Sequence, residues 1–395
     1  MFKKSVSIEL KPQRAYSDAC LSMFKRVKFC GNGFLVCEND YENFTIHYID
    51  YPTGKEINKW TVSVTNGLIS DYICVNGNLY VSFINVINEY DEIFAIYRSD
   101  DKGDMVQVFS CHRESYQHDM NYYSLFESNG ECRLLLIRHN RVHLYSIGSY
   151  VREINVLEGQ KWYISNNYSI CSIGRDWEIY NPELELITSF KFDEDVDWLE
   201  VASLDKDKLI AVATNNSATE IGGLFVYDKQ RDNYDIHYQR YGFYGASICH
   251  GKIWATVSSI YSGIGGLMIF DKSACLKFAH LRDEDEGNAI RGYNPAPIVY
   301  QSSCISELHD NKVAILDYER IIVSDITCRP LQEIKHQGYD CVAISNDAKT
   351  IVILELQNRL LGGQPEVEYN SSLNIYTWDS VLQKGSVVDL NTFRK

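Results

Sequence analysis

The chain has 395 residues, 45% of them apolar and 23% charged, and 38 basic against 53 acidic side chains leave a formal charge of −15. That apolar content excludes a wholly disordered chain, seven prolines and 24 glycines exclude collagen-like and proline-rich classes, and the absence of a basic stripe argues against direct nucleic-acid binding. No run of about 18 uncharged apolar residues marks a membrane span, and Met1 to Lys4 with the alternating SVSIEL is not a signal peptide, so a soluble cytoplasmic protein is expected.

Short runs of Ile, Val, Tyr, Phe and Trp, bounded by Gly, Asn and Asp, fill the sequence, while helical periodicity is confined to residues 14 to 26. One strand type recurs in chain order, with alternating apolar residues, an aromatic and then an acidic or polar turn. Its copies are FTIHYID (44 to 50), EIFAIYRSD (92 to 100), RVHLYSI (141 to 147), DWEIYNP (176 to 182), GLFVYDK (223 to 229), GLMIFDK (266 to 272), RIIVSDI (320 to 326) and LNIYTWD (373 to 379). Aligned on Tyr48, Tyr97, Tyr145, Tyr180, Tyr227, Phe270, Ser324 and Tyr376, the spacings run from 35 to 54 residues, the range of propeller blades.

A tight-turn motif lies upstream of each copy, where Asn, Gly or Asp supplies the positive φ of a short hairpin. The eight are CGNG (30 to 33), VNGN (75 to 78), SNGE (128 to 131), SNNY (165 to 168), DKDK (205 to 208), CHGK (249 to 252), HDNK (309 to 312) and SNDAK (345 to 349). Each unit therefore reads as strand A, tight turn, strand B, variable loop, strand C, turn, strand D. Such four-stranded antiparallel meanders must stack to bury both faces.

The pattern resembles the β-propeller superfamily, with WD40-like character in one or two units. His336 to Glu355, HQGYDCVAISNDAKTIVILE, is similar to the WD40 arrangement of a His-bearing loop, strand A, an Asp-containing turn with Lys, and strand B; Trp378-Asp379 matches the naming dipeptide, and the Gly-His dipeptide is absent. The expected fold is an all-β, eight-bladed propeller of four-stranded antiparallel blades. Seven blades is the alternative, because Ser324 lacks the aromatic and the fourth unit is short. Residues 1–26 form a lead-in and 27–395 a single propeller; either SVSIEL (5 to 10) pairs with the last unit and latches the chain ends, or KGSVVDL (384 to 390) completes it.

Strand direction alternates in a blade, so B-to-C loops and D-to-A links share one face, and A-to-B and C-to-D turns the other. The loops and links carry a net −14 and the turns −1. One-signed charge focuses a field and speeds encounter with an oppositely charged partner. The candidate contact residues are Asp193, Glu194, Asp195, Asp197 and Trp198; Asp283, Glu284, Asp285, Glu286 and Tyr293; Glu89, Asp91 and Glu92; and Tyr122 and Tyr123. Acids beside exposed aromatics suit Arg and Lys, through charge-assisted hydrogen bonds and cation–π contact; the plainer reading is a solubilising acidic rim.

No constellation of catalytic chemistry emerges. DEDVD (193 to 197) has calcium-loop spacing, but Trp198 stands where Gly is needed and Leu204 where Glu is needed. His139 and His143, and His112, His118 and Asp119, lack zinc spacing, and no nucleophile-elbow, Walker or dinucleotide motif occurs. No cofactor or metal is expected. The twelve cysteines, without a CxxC pair, read as reduced thiols, with Cys37, Cys74, Cys171, Cys249 and Cys341 as small hydrophobes in strands. The expectation is a non-enzymatic propeller that binds a basic protein partner through an acidic, Tyr-rich face, as an inhibitor or immunity-type protein. A propeller hydrolase with carboxylates at the channel mouth and a scaffold subunit of a larger complex are the alternatives.

Overall fold

The structure is a computed structural model. It describes residues 1–15, 27–40, 43–51, 53–63, 67–88, 91–100, 102–114, 122–148, 151–159, 161–191, 198–205, 208–214, 222–239, 242–258, 265–282, 305–316, 320–335, 341–359 and 367–379. Every regular element among them is a β-strand. After β1 (Phe2–Ala15), the first quartet is β2 (Val27–Cys30), β3 (Gly33–Asp40), β4 (Asn43–Asp50) and β5 (Glu56–Ser63). The second is β6 (Gly67–Val75), β7 (Asn78–Asn88), β8 (Asp91–Ser99) and β9 (Met105–Glu114), and the third β10 (Tyr123–Ser128), β11 (Glu131–Arg138), β12 (Arg141–Ile147) and β13 (Val151–Glu158). The fourth is β14 (Lys161–Ser165), β15 (Tyr168–Ile173), β16 (Asp176–Tyr180) and β17 (Leu186–Lys191), and the fifth β18 (Trp198–Asp205), β19 (Lys208–Thr214), β20 (Gly222–Asp228) and β21 (Asn233–Gln239). The sixth is β22 (Gly242–Cys249), β23 (Lys252–Ser258), β24 (Gly265–Phe270) and β25 (Leu276–Arg282), and the seventh β26 (Ile305–Leu308), β27 (Lys312–Leu316), β28 (Arg320–Asp325) and β29 (Pro330–Lys335). β30 (Cys341–Ile344), β31 (Thr350–Arg359) and β32 (Val367–Trp378) end the series.

The last three strands take β1 as their fourth. Val6 pairs with Ile375 and Ile8 with Leu373 in an antiparallel ladder, so SVSIEL joins the two ends of the chain; KGSVVDL lies outside the described residues. β1 is long enough for Arg14 to make a parallel bridge to Asp40 of β3, which fuses this quartet with the first into one eight-stranded sheet. Among the described residues there are thus seven hydrogen-bonded sheets, six of four strands and this double one. Counted as sheets, the blades number seven, which corrects the leading expectation of eight. Neither the short fourth unit nor Ser324 is the reason: both belong to complete quartets, and the fusion at β1 lowers the count.

The sequence explains the strands. β11 is buried along six consecutive positions, Cys132 to Ile137, as befits a central strand covered on both faces, whereas the edge strand β13 alternates between half-buried and exposed. Edge strands of this kind invite pairing with other chains. The ladder between the third and fourth strands carries a register shift at Tyr48/Ile49, Ile96/Tyr97, Leu144/Tyr145, Ile179/Tyr180, Ile269/Phe270 and Val323/Ser324, a bulge beside the recurring aromatic position that roughens the edge. The β20–β21 ladder runs unbroken from Gly222–Gln239 to Asp228–Asn233.

The chain divides into two compact units, Phe2–Glu158 with His336–Trp378, and Gly159–Lys335 with the chain termini. In the first, Phe34, Val36 and Ile49 pack with Val352, Leu354, Leu373 and Ile375, and Phe44, Trp60, Tyr72 and Phe83 form a second core. In the other, Trp177, Phe190 and Phe225 centre one core and Trp254, Ile269 and Ile322 another. The first of these cores joins the first and last quartets, and the other three lie between successive quartets.

Candidate functional site

The turns next to these cores are built by side chains that favour left-handed backbone. Asn76-Gly77, Asn129-Gly130, Asn166-Asn167 and His250-Gly251 all have positive φ, as two-residue hairpins joining strands A and B require. The C-to-D turns repeat a second device. Asp100 Oδ1 accepts N–H bonds from Lys102 and Asp104, both at 2.9 Å; Asn181, Asp271 and Asp325 do the same for the residues two and four positions on. In each, the fourth residue (Gly103, Leu184, Ala274, Cys328) has positive φ. The acidic ending of the repeated strand is thus a turn builder.

Polar groups at these turns also tie quartets together. Asn76 Nδ2 donates to the Gly130 carbonyl at 2.7 Å, and Asn166 Nδ2 to the Val201 carbonyl at 2.8 Å. Lys208 and Lys252, each the first residue after an A-to-B turn, donate to the carbonyls of Lys272 and Ile326, both at 3.2 Å. His250 Nε2 donates to the Lys312 carbonyl at 2.8 Å while its backbone N–H donates to Glu307. Lys28 pairs with Asp71 between the first and second quartets.

The sequence-derived contact residues are placed unevenly. Glu89, Asp193, Glu194, Asp195, Asp197, Asp283, Glu284, Asp285, Glu286 and Tyr293 lie outside the described residues. Asp91 begins β8 and Trp198 begins β18, at the ends where the sequence puts loops and links. The expectation of exposure is corrected for three others. Tyr122 is 6% exposed and packs on Phe94; Tyr123 is half-buried, stacks obliquely on Phe94 at 4.8 Å and shares a 3.2 Å hydrogen bond with Ser82; Glu92 is 9% exposed. Their β8 and β10 backbones enter the core between neighbouring quartets, so the aromatic rings are used in packing.

Of the histidines, His139 forms a left-handed B-to-C turn with Asn140, and His143 pairs with Glu153 at 2.9 Å across two strands. No group of three or more metal-binding side chains is found among the described residues. One juxtaposition escaped the sequence reading. Cys30 Sγ points at the Cys74 carbonyl, 3.6 Å away, although their sequence positions are 44 apart. The signal was available: both cysteines directly precede or adjoin the CGNG and VNGN turns.

No family model matches the chain, and no curated protein matches its sequence. Solved structures do match. The Dos1 propeller is 10% identical with a TM-score of 0.55 over 95% of both chains. The WD40 domain of Neurospora crassa Pan2 is 8% identical, TM-score 0.42, over 96% of both chains, and that of Toxoplasma gondii coronin is 7% identical, TM-score 0.44, over 96% of this chain and 88% of that one. At such identities the likeness is one of fold, and the first carries it. The chain has an all-β propeller fold of four-stranded antiparallel blades.

Proposed function

We propose that this propeller binds a basic protein through its acidic loops and links, in the manner of an inhibitor or immunity-type protein that neutralises a cationic effector. The fold supports a protein-interaction scaffold; the finer reading rests on the partition of charge, −14 in the B-to-C loops and D-to-A links against −1 in the turns. The character of the turns supports it. Their acids accept backbone N–H groups, and Lys208 and Lys252 are committed to carbonyls of the next quartet. The acids at 193 to 197 and 283 to 286 carry the proposal, with Asp91 and Trp198 kept in the contact set; the buried Tyr122 and Glu92 are withdrawn from it.

The test is to identify the bound protein by co-purification and then follow its association rate against salt. A fall of about tenfold or more from low to high ionic strength is expected, and D283K/E284K/D285K/E286K should abolish the rate advantage. Salt-insensitive association, or loss of binding from turn substitutions alone, would overturn the reading. Several unrelated partners captured at different surfaces would replace it with a general scaffold.

A further inference from the structure

Cys30 and Cys74 meet where two successive quartets adjoin. Cys30 is the last residue of β2, Cys74 the penultimate residue of β6, and the Gly31 and Asn76-Gly77 left-handed turns follow them at the same end of the two sheets. Both are half-buried, so a small oxidant can reach them, while Cys37, Cys132, Cys171, Cys249 and Cys328 are buried. The Cys30 thiol is directed at the Cys74 carbonyl, 3.6 Å away, so the two residues are in contact across the seam.

We propose that Cys30 and Cys74 are an oxidative modification site, closing to a disulfide between β2 and β6 when the oxidant is a hydroperoxide. The Cys74 thiolate attacks the peroxide oxygen, the O–O bond breaks, and hydroxide or alkoxide leaves, giving a sulfenic acid on Cys74. The Cys30 sulfur then attacks the Cys74 sulfur; the S–O bond breaks and the oxygen departs as water with the Cys30 proton. Two thiols lose two electrons to become one disulfide, and the hydroperoxide is reduced to water and alcohol, or to water alone when it is hydrogen peroxide.

The order of attack follows from the thiol environments. A hydrogen bond from Cys30 holds Cys74 below the ordinary thiol value against the effect of burial, and the same bond, with burial, pushes Cys30 up. Burial pushes Cys249 and Cys328 up to about 12, which leaves them protonated and slow.

The reduced full-length protein is treated with hydrogen peroxide, quenched with an alkylating reagent and mapped by peptide mass spectrometry. The expected result is a peptide pair linked through Cys30 and Cys74, reversed by dithiothreitol, formed about tenfold faster than the exposed Cys275 is oxidised. Cys30→Ser should leave a sulfenic acid on Cys74 that dimedone traps, and Cys74→Ser should leave none on Cys30. The proposal is overturned if both cysteines remain alkylatable while Cys275 oxidises, or if Cys74 is found joined to another cysteine. The wild-type map decides the disulfide even where a variant fails to fold.

Discussion

The seam between the first and second quartets and the seam between the sixth and seventh use the same turn to opposite ends. Cys30 and Cys249 occupy matching places, each pairing across the A-to-B turn, with Gly33 and Lys252 respectively. In the later seam Cys249 is sealed, and the residues after it do the joining: His250 reaches the Lys312 carbonyl and Glu307, and Lys252 reaches the Ile326 carbonyl. In the earlier seam the lysine tether comes before the turn, Lys28 of β2 pairing with Asp71 of β6, and the turn itself is joined differently. A Cβ on Gly33 would lie 2.5 Å from Tyr48 Cε2 and 2.6 Å from the Ile49 carbonyl, so the Tyr48 ring fills that space, its hydroxyl bonds the Cys30 carbonyl at 3.1 Å, and Cys30 faces Cys74. The repeat sets where neighbouring turns meet; one or two side chains decide whether polar bonds or thiols join them.

The largest effect that would break this contrast is at Gly33. Gly33→Ala must displace both the Tyr48 ring and the Ile49 carbonyl, and a loss of about 2–3 kcal/mol is expected in urea unfolding. A stability unchanged within error would mean that the Tyr48 side of the seam yields freely.

Next comes Asp325, which shapes the turn that offers the Ile326 carbonyl to Lys252. Its Oδ1 accepts N–H bonds from Thr327 and Arg329 at 2.8 and 3.0 Å and the Thr327 hydroxyl at 2.6 Å. Asp325→Ala should cost about 1–2 kcal/mol, and Asp325→Asn, which keeps the acceptor, much less. Burial alone would raise this carboxyl, but the hydrogen bonds from Thr327 and Arg329 outweigh it and hold it below its ordinary value. A depressed folded-state value means that the contribution is complete above the ordinary aspartate range and fades as pH falls through the folded value. The wild type should therefore lose stability at acid pH more steeply than Asp325→Asn, as read by thermal melts across that range.

The smallest effect sharpens the comparison. Lys252→Met removes one partly exposed ammonium–carbonyl bond and should cost about 0.5–1 kcal/mol. Combined with Asp325→Ala it should cost less than the sum, because the second change has already loosened the acceptor turn; strict additivity would show that the two groups act separately.

Much of this was legible. Except for Tyr227 in the unbroken β20–β21 ladder, the aromatic positions from Tyr48 to Phe270 fall where the third strand meets its bulge, and the Asn-Gly turns fall where positive φ is needed. The 35-residue fourth unit is short because β14 and β16 have five residues each and Gly174-Arg175 makes a two-residue connection. Ser324, which breaks the aromatic pattern, is fully buried and sits at the same bulge as the aromatics of the other units. Less legible was the meaning of the acids. Asp100, Asp271 and Asp325 count as negative charge in a tally, yet each is consumed by its own turn. Tyr122 and Tyr123 read as loop aromatics, yet Tyr122 is a core residue and Tyr123 packs half-buried on Phe94, since a link segment gives no sign of where the next strand begins.

The alternation of strands and turns was fixed by the amino-acid order itself, because the two-residue pleat and left-handed turns are local preferences that each segment expresses alone. The fusion of the first and last quartets through β1, and the meeting of Cys30 with Cys74, were decided only by the tertiary structure. Those contacts join residues 370 and 44 positions apart, and nothing in either segment specifies its partner until stacked sheets bring the two within reach.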